Sequence, residues 1–256
     1  MPGSWVVEGT GTSCLVPVPA LPSPQQRELP AALRDDFELV FVHPDGPPLD
    51  PVDTLERARE ASGAERVGLL GTSIWGLLCV AYARRFPAHA AFVVMAGTPP
   101  HAAGLEDAQR AHWDANATDE LKALLEKRLC ELEESDEEET VASNARAWAP
   151  MGWFDADFDP TELLGGLEVD HERMNATVRA FASISLPAVL PRLECPVLRI
   201  HGAHDYIVPP PLWDAHADLG AHVTTRIFER SGHHPCCEEP DRFASEVRDF
   251  AAKARA

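Results

Sequence analysis

A hydroxyl becomes a useful nucleophile when a base takes its proton, an acid orients that base, and donors meet the oxyanion that forms. Three segments of this chain offer those parts. The first is Gly71-Thr72-Ser73-Ile74-Trp75-Gly76, which follows the apolar run Val67–Leu70 and precedes a helical pattern over Leu77–Phe86. A serine between a buried strand and a helix, with glycine two residues earlier, is the pattern of a strained turn that exposes the serine hydroxyl. The second is Ala203-His204-Asp205-Tyr206-Ile207-Val208-Pro209, and the third is Glu229-Arg230-Ser231-Gly232-His233-His234-Pro235. Each follows an apolar strand pattern, so both loops leave the carboxyl ends of their strands, the edge where open α/β sheets place ligands.

The order Ser73, Asp205, His233 supplies nucleophile, acid and base. The gap of 233 − 205 = 28 residues has room for one helix and one strand. In this reading His233 Nε2 takes the Ser73 proton and later protonates the leaving group, while Asp205 fixes the imidazole tautomer. Singly, Asp205 reads equally as a turn aspartate and His233 as a surface histidine; the joint order favours a triad. His234 is the rival base, and His233 is preferred because it directly follows Gly232.

One oxyanion donor is expected from the backbone N–H of Ile74, the residue after the nucleophile. The other is expected from the loop Val16-Pro17-Val18-Pro19-Ala20-Leu21-Pro22. Prolines donate no hydrogen bond, which leaves Val18, Ala20 and Leu21; Ala20 or Leu21 best fit the register. Trp75 stands where a small residue is usual, because helix and strand approach closely at such a turn. An indole there points away or pushes the helix outward, and an ångström of displacement costs roughly a hundredfold in rate. Trp75 is therefore either a packing residue or, with Thr72, part of a substrate pocket.

The elements that would carry these residues alternate between strand and helix. Strand patterns fall at Ser13–Val18, Phe37–His43, Val67–Leu70, Ala90–Ala96, Pro196–Gly202 and Val223–Phe228. Near-continuous apolar runs such as Phe37–Val42 suit strands buried on both faces, hence a mostly parallel sheet. A last helix from about Pro240 puts Phe243, Val247 and Phe250 on one face. Residues 98–191 break the alternation with helical patterns, including a stripe of Leu121, Leu124, Leu125 and Leu129. The expected division is a core of residues 1–97 and 192–256 with a helical lid over 98–191. A decoration serving stability alone is the plainer alternative. The acidic block Glu131–Glu139 reads as a solvated stretch, with protein interaction as its other reading.

Composition narrows the partners. The chain has 256 residues with 22 Lys and Arg against 41 Asp and Glu, a formal net charge of −19. Such a surface repels phosphate backbones and anionic headgroups, so neither nucleic acid nor membrane is an expected partner. A neutral or cationic small-molecule substrate is. The start has no signal-peptide pattern and no apolar run nears 20 residues, so the expected location is cytoplasmic. The six cysteines, scattered without a C-x-x-C pair, read as free thiols. His233, His234, Cys236 and Cys237 are too closely spaced for a zinc set, so no metal and no cofactor is expected. Oligomeric state is left open.

Together these segments resemble the α/β-hydrolase superfamily, and within it the proline-iminopeptidase-like branch. Val40-Phe41-Val42-His43-Pro44-Asp45-Gly46 is similar to that family's strand followed by Asp-x-Arg-Gly, without the arginine. The resemblance implies an α/β-hydrolase fold with an inserted helical lid, and an N-terminus too short for an early edge strand of the family. It implies a serine hydrolase that cleaves a small ester, thioester, amide or N-terminal prolyl substrate through an acyl-enzyme on Ser73. Aminopeptidases of the branch hold the substrate's ammonium with lid carboxylates; Asp155, Asp157, Asp159, Glu162, Glu168 and Asp170 lie in the matching region, and none is assigned. The alternative is a non-hydrolytic or ligand-binding protein on the same scaffold, with an altered turn at Trp75 and a proline-filled oxyanion loop.

Overall fold

The structure, a computed structural model, describes residues 4–44, 50–135 and 140–254, apart from 169, 171, 173, 174, 177, 178, 180–182 and 217. Seven strands form one sheet: β1 (Ser4–Glu8), β2 (Thr12–Pro17), β3 (Phe37–His43), β4 (Val67–Thr72), β5 (Ala90–Ala96), β6 (Val197–Gly202) and β7 (Val223–Phe228). Their order across the sheet is β1-β3-β2-β4-β5-β6-β7. Only β1 runs antiparallel, pairing Ser4 with His43 and Glu8 with Leu39. An N-terminal edge strand, Ser4–Glu8, is therefore present beyond the strand patterns read in the sequence. Its pattern is short, and Val6 and Val7 are exposed at the sheet edge, so no buried apolar run marks it in the sequence.

Alternation along the parallel strands builds two cores. Leu15, Val40, Val42, Leu69, Val93 and Met95 point to one face. There they meet helices α1 (Pro51–Ser62) and α2 (Trp75–Arg85) and the helical turn Leu186–Val189. Val16, Leu39, Phe41, Leu70, Val94 and Ile200 point to the other face. That face is covered by the 3₁₀ segment Ala31–Asp35 and, once the helices of residues 98–191 are counted, by α6 (Pro240–Ala254). Helix α1 begins on an Asp50 side chain that accepts from Val52 N–H at 2.9 Å and stops at Gly63 in the left-handed region.

The helices between β5 and β6 include α3 (Leu105–Asn116), α4 (Asp119–Glu133) and α5 (Val141–Ala147), with helical turns at Ala149–Gly152 and Thr161–Leu164. Leu125 of the leucine stripe is buried beside Trp113, Ala117 and Met151, with Leu121 and Leu129 packed on them. This insertion has its own small apolar cluster, joined by Tyr206 and Ile207 from the loop after β6. Within the acidic block Glu131 pairs with Lys127 at 3.6 Å; residues 136–139 lie outside the described residues, as do Asp45 and Gly46. Among the described residues no helix is long and apolar enough to cross a membrane.

Helix α6 is docked by Phe243, which is fully buried and meets Phe228 edge-to-face at a centroid distance of 6.4 Å. Phe243→Ala is expected to remove about 3–5 kcal/mol of unfolding free energy, seen as a lower urea midpoint. A loss below about 1 kcal/mol would show that this helix does not depend on its ring.

Candidate active site

Strand β4 ends at Thr72, and α2 begins two residues after Ser73. The chain must reverse within that space, and Ser73 does it with φ +51°, the one positive φ at a non-glycine position among the described residues. Such a backbone costs about 1–3 kcal/mol and persists where surroundings hold it. Here Ser73 N–H donates to Ala96 O at 2.7 Å, and Ser73 O accepts from Gly76 N–H at 3.1 Å and from the Thr98 hydroxyl at 2.8 Å. A Cβ on Gly71 would stand 2.6 Å from Gly76 N and 2.8 Å from Trp75 C, so the tight approach of strand to helix requires glycine there.

Trp75 is 6% exposed and belongs to the core cluster of β2, β3, α1 and α2. This corrects its placement in a substrate pocket: the indole turns into the core on its own face of the sheet. The residue that must be small is the next one. A Cβ on Gly76 would collide with the Thr98 side chain, so the close packing at this turn requires glycine at 76. Thr72 is half-buried, and its hydroxyl accepts from Gln25 Nε2 at 3.4 Å.

The candidate base and acid come from the loops after β7 and β6. Asp205 is fully buried, and its Oδ1 accepts from Ile207 N–H at 2.9 Å and Val208 N–H at 2.7 Å. Its Oδ2 lies 2.9 Å from His233 Nδ1, and His233 Nε2 lies 2.9 Å from Ser73 Oγ. An ionised carboxylate can only accept, so Nδ1 carries the proton, and Nε2 accepts from the Ser73 hydroxyl. Ser73, His233 and Asp205 thus form one hydrogen-bonded chain across three loops. Burial works against a charged His233, but the Asp205 charge and hydrogen bond prevail and hold the imidazole above its ordinary value of 6.5.

His234 is not part of this chain. It stacks on Trp153 at a centroid distance of 4.2 Å, and burial drives it down to about 3, so it stays neutral. His201, buried beneath Asp205, donates from Nε2 to Val208 O at 2.7 Å and is also held below its ordinary value by burial. Of the six free cysteines, Cys14, Cys79, Cys195 and Cys236 are buried, Cys237 is half-buried and Cys130 is exposed. Among the described residues no three His, Cys, Asp or Glu side chains come together as a metal set.

For the oxyanion, Ile74 N–H stands at the start of α2 and has no acceptor among the described residues. The positive end of the helix favours negative charge at that point. Val18 N–H is spent on Val42 O at 2.9 Å. Ala20 and Leu21, both half-buried, remain as non-proline donors of that loop.

Several neighbours carried no readable signal in the sequence. Met151 O accepts from Tyr206 N–H at 3.1 Å, and Gly152 O accepts from His233 N–H at 2.6 Å. Glu238 accepts from Phe154 N–H at 2.6 Å through Oε1 and from Gly232 N–H at 2.8 Å through Oε2. One short stretch of the insertion therefore ties down both candidate loops. Burial pushes the Glu238 carboxyl up to about 7. It does the same to Glu28, whose rise is moderated by the positive charge of His233. The contacts of Met151, Gly152 and Phe154 join residues 55, 81 and 84 positions apart, so no local pattern reveals them.

A family model described as alpha/beta hydrolase fold matches residues 49–240. This chain belongs to the alpha/beta hydrolase family. Over 269 aligned residues it is 29% identical to AB hydrolase superfamily protein YclE of Bacillus subtilis (strain 168), covering 96% of this chain and 94% of that protein. Over 98 residues, 37% of this chain and 33% of the other, it is 33% identical to pimeloyl-[acyl-carrier protein] methyl ester esterase of Vibrio atlanticus (strain LGP32). An alpha/beta fold family hydrolase from Bacillus anthracis str. Sterne superposes with a TM-score of 0.72 at 18% identity, covering 97% of this chain and 95% of that one.

Two measurements test this geometry. The His233 imidazole, followed by NMR, is expected to titrate above 6.5, and Asp205→Asn to lower that value by removing the charge and the bond that raise it; an unmoved titration would break the Asp205–His233 link. Gly76→Ala is expected to cost about 1–3 kcal/mol by overpacking against Thr98, measured by urea unfolding, and a neutral effect would show that Thr98 yields freely.

Proposed function

We propose that this chain is a serine hydrolase that cleaves a small-molecule ester through an acyl-enzyme on Ser73. The observation that carries the reading is the hydrogen-bonded series Ser73 Oγ, His233 Nε2, His233 Nδ1, Asp205 Oδ2, set on a serine with a left-handed backbone. Ser73 Oγ attacks the ester carbonyl as its proton passes to His233 Nε2. The imidazolium then faces the Asp205 carboxylate, and the carbonyl oxygen, now anionic, meets Ile74 N–H and a donor from Ala20 or Leu21. Collapse breaks the C–O bond, and the leaving alkoxide takes the Nε2 proton. Water, deprotonated by the same nitrogen, releases the acid and restores Ser73.

Several observations support an ester over the other substrates of this class. Trp75 does not open the turn, so the alternative of a disabled, ligand-binding scaffold loses its main motive. The acids considered for holding an N-terminal ammonium are exposed or locally engaged: Asp157 pairs with Arg128 at 3.1 Å, Asp159 accepts from Thr161, and Asp155 Oδ1 accepts from Asp157 N–H. That weighs against the proline-iminopeptidase-like branch. The similarity to a methyl ester esterase over about a third of the chain weighs the same way. Residues 98–191 serve in this reading as a lid over the nucleophile. The net charge of −19 favours neutral or cationic substrates reaching it, and cytoplasmic location remains the expectation.

A fluorophosphonate probe is expected to label Ser73, and Ser73→Ala to lose both labelling and p-nitrophenyl ester turnover by roughly 10⁴-fold or more. Prolyl amide and thioester substrates run beside the ester should turn over more slowly. Unlabelled, well-folded protein would refute the nucleophile, and faster prolyl cleavage would replace the substrate class.

A further inference from the structure

The short stretch Ala96-Gly97-Thr98, at the carboxyl end of β5, touches both Ser73 and His233. Ala96 O accepts from Ser73 N–H at 2.7 Å, and the Thr98 hydroxyl donates to Ser73 O at 2.8 Å. The two peptide groups flanking Ser73 Cα are therefore held from the same side by neighbouring residues of one strand end. Gly97, with φ +59°, passes so close to His233 that a Cβ would stand 3.1 Å from His233 Nδ1. Thr98 is itself fully buried and immobilised: its own carbonyl accepts from Trp213 Nε1 at 3.0 Å, and the Arg199 guanidinium lies 4.7 Å over that indole.

We propose that Thr98 is a positioning residue: its hydroxyl latches the Ser73 carbonyl and so sets where Ser73 Oγ stands relative to His233. The inference rests on the serine-hydrolase reading above and adds a residue to it. A turn at φ +51° has a competing relaxed conformation at negative φ, and relaxation would rotate Oγ away from Nε2. Gly76 N–H, the other donor to that carbonyl, sits at a longer 3.1 Å and belongs to α2, which moves with the turn. Thr98 lies two residues beyond β5 and is itself held by Trp213, so it is the donor that ties the nucleophile to the fixed frame. The same contact explains why glycine is required at 76: the Thr98 side chain fills the space a Cβ would take.

The test compares wild type with Thr98→Val, Thr98→Ala and Thr98→Ser in fluorophosphonate labelling and p-nitrophenyl ester kinetics. Valine keeps the shape and removes the donor, alanine removes the donor without adding bulk, and serine keeps the donor. Labelling rate and kcat are expected to fall about 10- to 100-fold in the valine and alanine variants. KM should stay within about twofold, and serine should restore kcat to within about threefold. Should valine not fold, alanine carries the same comparison. Equal labelling rates and kcat in wild type and the donor-free variants overturn the latch while leaving the hydrolase reading intact. So does a serine variant as slow as alanine, which would assign the effect to the lost methyl group. A wild type that is never labelled overturns the hydrolase reading, and the latch falls with it.

Discussion

The backbone of Ser73 sits in a conformation that its own side chain disfavours, and the rest of the molecule is arranged so that it cannot relax. Strand β4 delivers the chain into the turn, α2 carries it away, and the end of β5 grips it by one donor and one acceptor. The cost of a left-handed serine, about 1–3 kcal/mol, is small beside a sheet buried on both faces. It would be decisive in an isolated turn. A flexible serine would offer its hydroxyl to water in many directions; this one offers it to a single nitrogen, 2.9 Å away.

The partner side chains are held by a different device. The loops after β6 and β7 are stitched to each other, with His204 N–H donating to Ser231 O at 3.0 Å. Both are also stitched to the insertion through Met151, Gly152 and Phe154. A Cβ on Gly232 would stand 2.5 Å from Gly152 O, which shows how closely the insertion's backbone lies on the loop. Part of the segment between β5 and β6 is therefore the wall against which His233 is set. Helices α3 and α4 pack on the same stretch, since Met151 belongs to their apolar cluster around Trp113 and Leu125.

Burial also changes the chemistry around the imidazole. Asp205 is wholly inside, and its carboxylate meets two backbone donors and the imidazole. Burial brings the carboxyls of Glu28 and Glu238 up to about 7. The neighbourhood of His233 thus contains two acids that titrate near neutrality. His234, beside it in sequence, is turned into an apolar stack on Trp153. Adjacent histidines meet opposite fates because successive side chains leave the loop in different directions.

How much of this could be read from residue order follows from the range of each interaction. Strand and helix periodicity, the turn at Gly71–Gly76 and the succession Ser73, Asp205, His233 are local patterns. They sufficed for the mostly parallel sheet, and they marked the three side chains that meet. The edge strand Ser4–Glu8 escaped because a half-exposed strand carries no buried run, and its partner β3 lies some 30 residues on. The direction of Trp75 was undecided because a helix-start side chain can face core or cleft, and only the packing of β2, β3 and α1 around it chooses. Thr98, Gly152 and Glu238 were invisible for the same reason. Each acts on a residue at least six positions away, and Thr98 and Gly152 act across 25 and 81, over distances that only the closed sheet brings to about 3 Å.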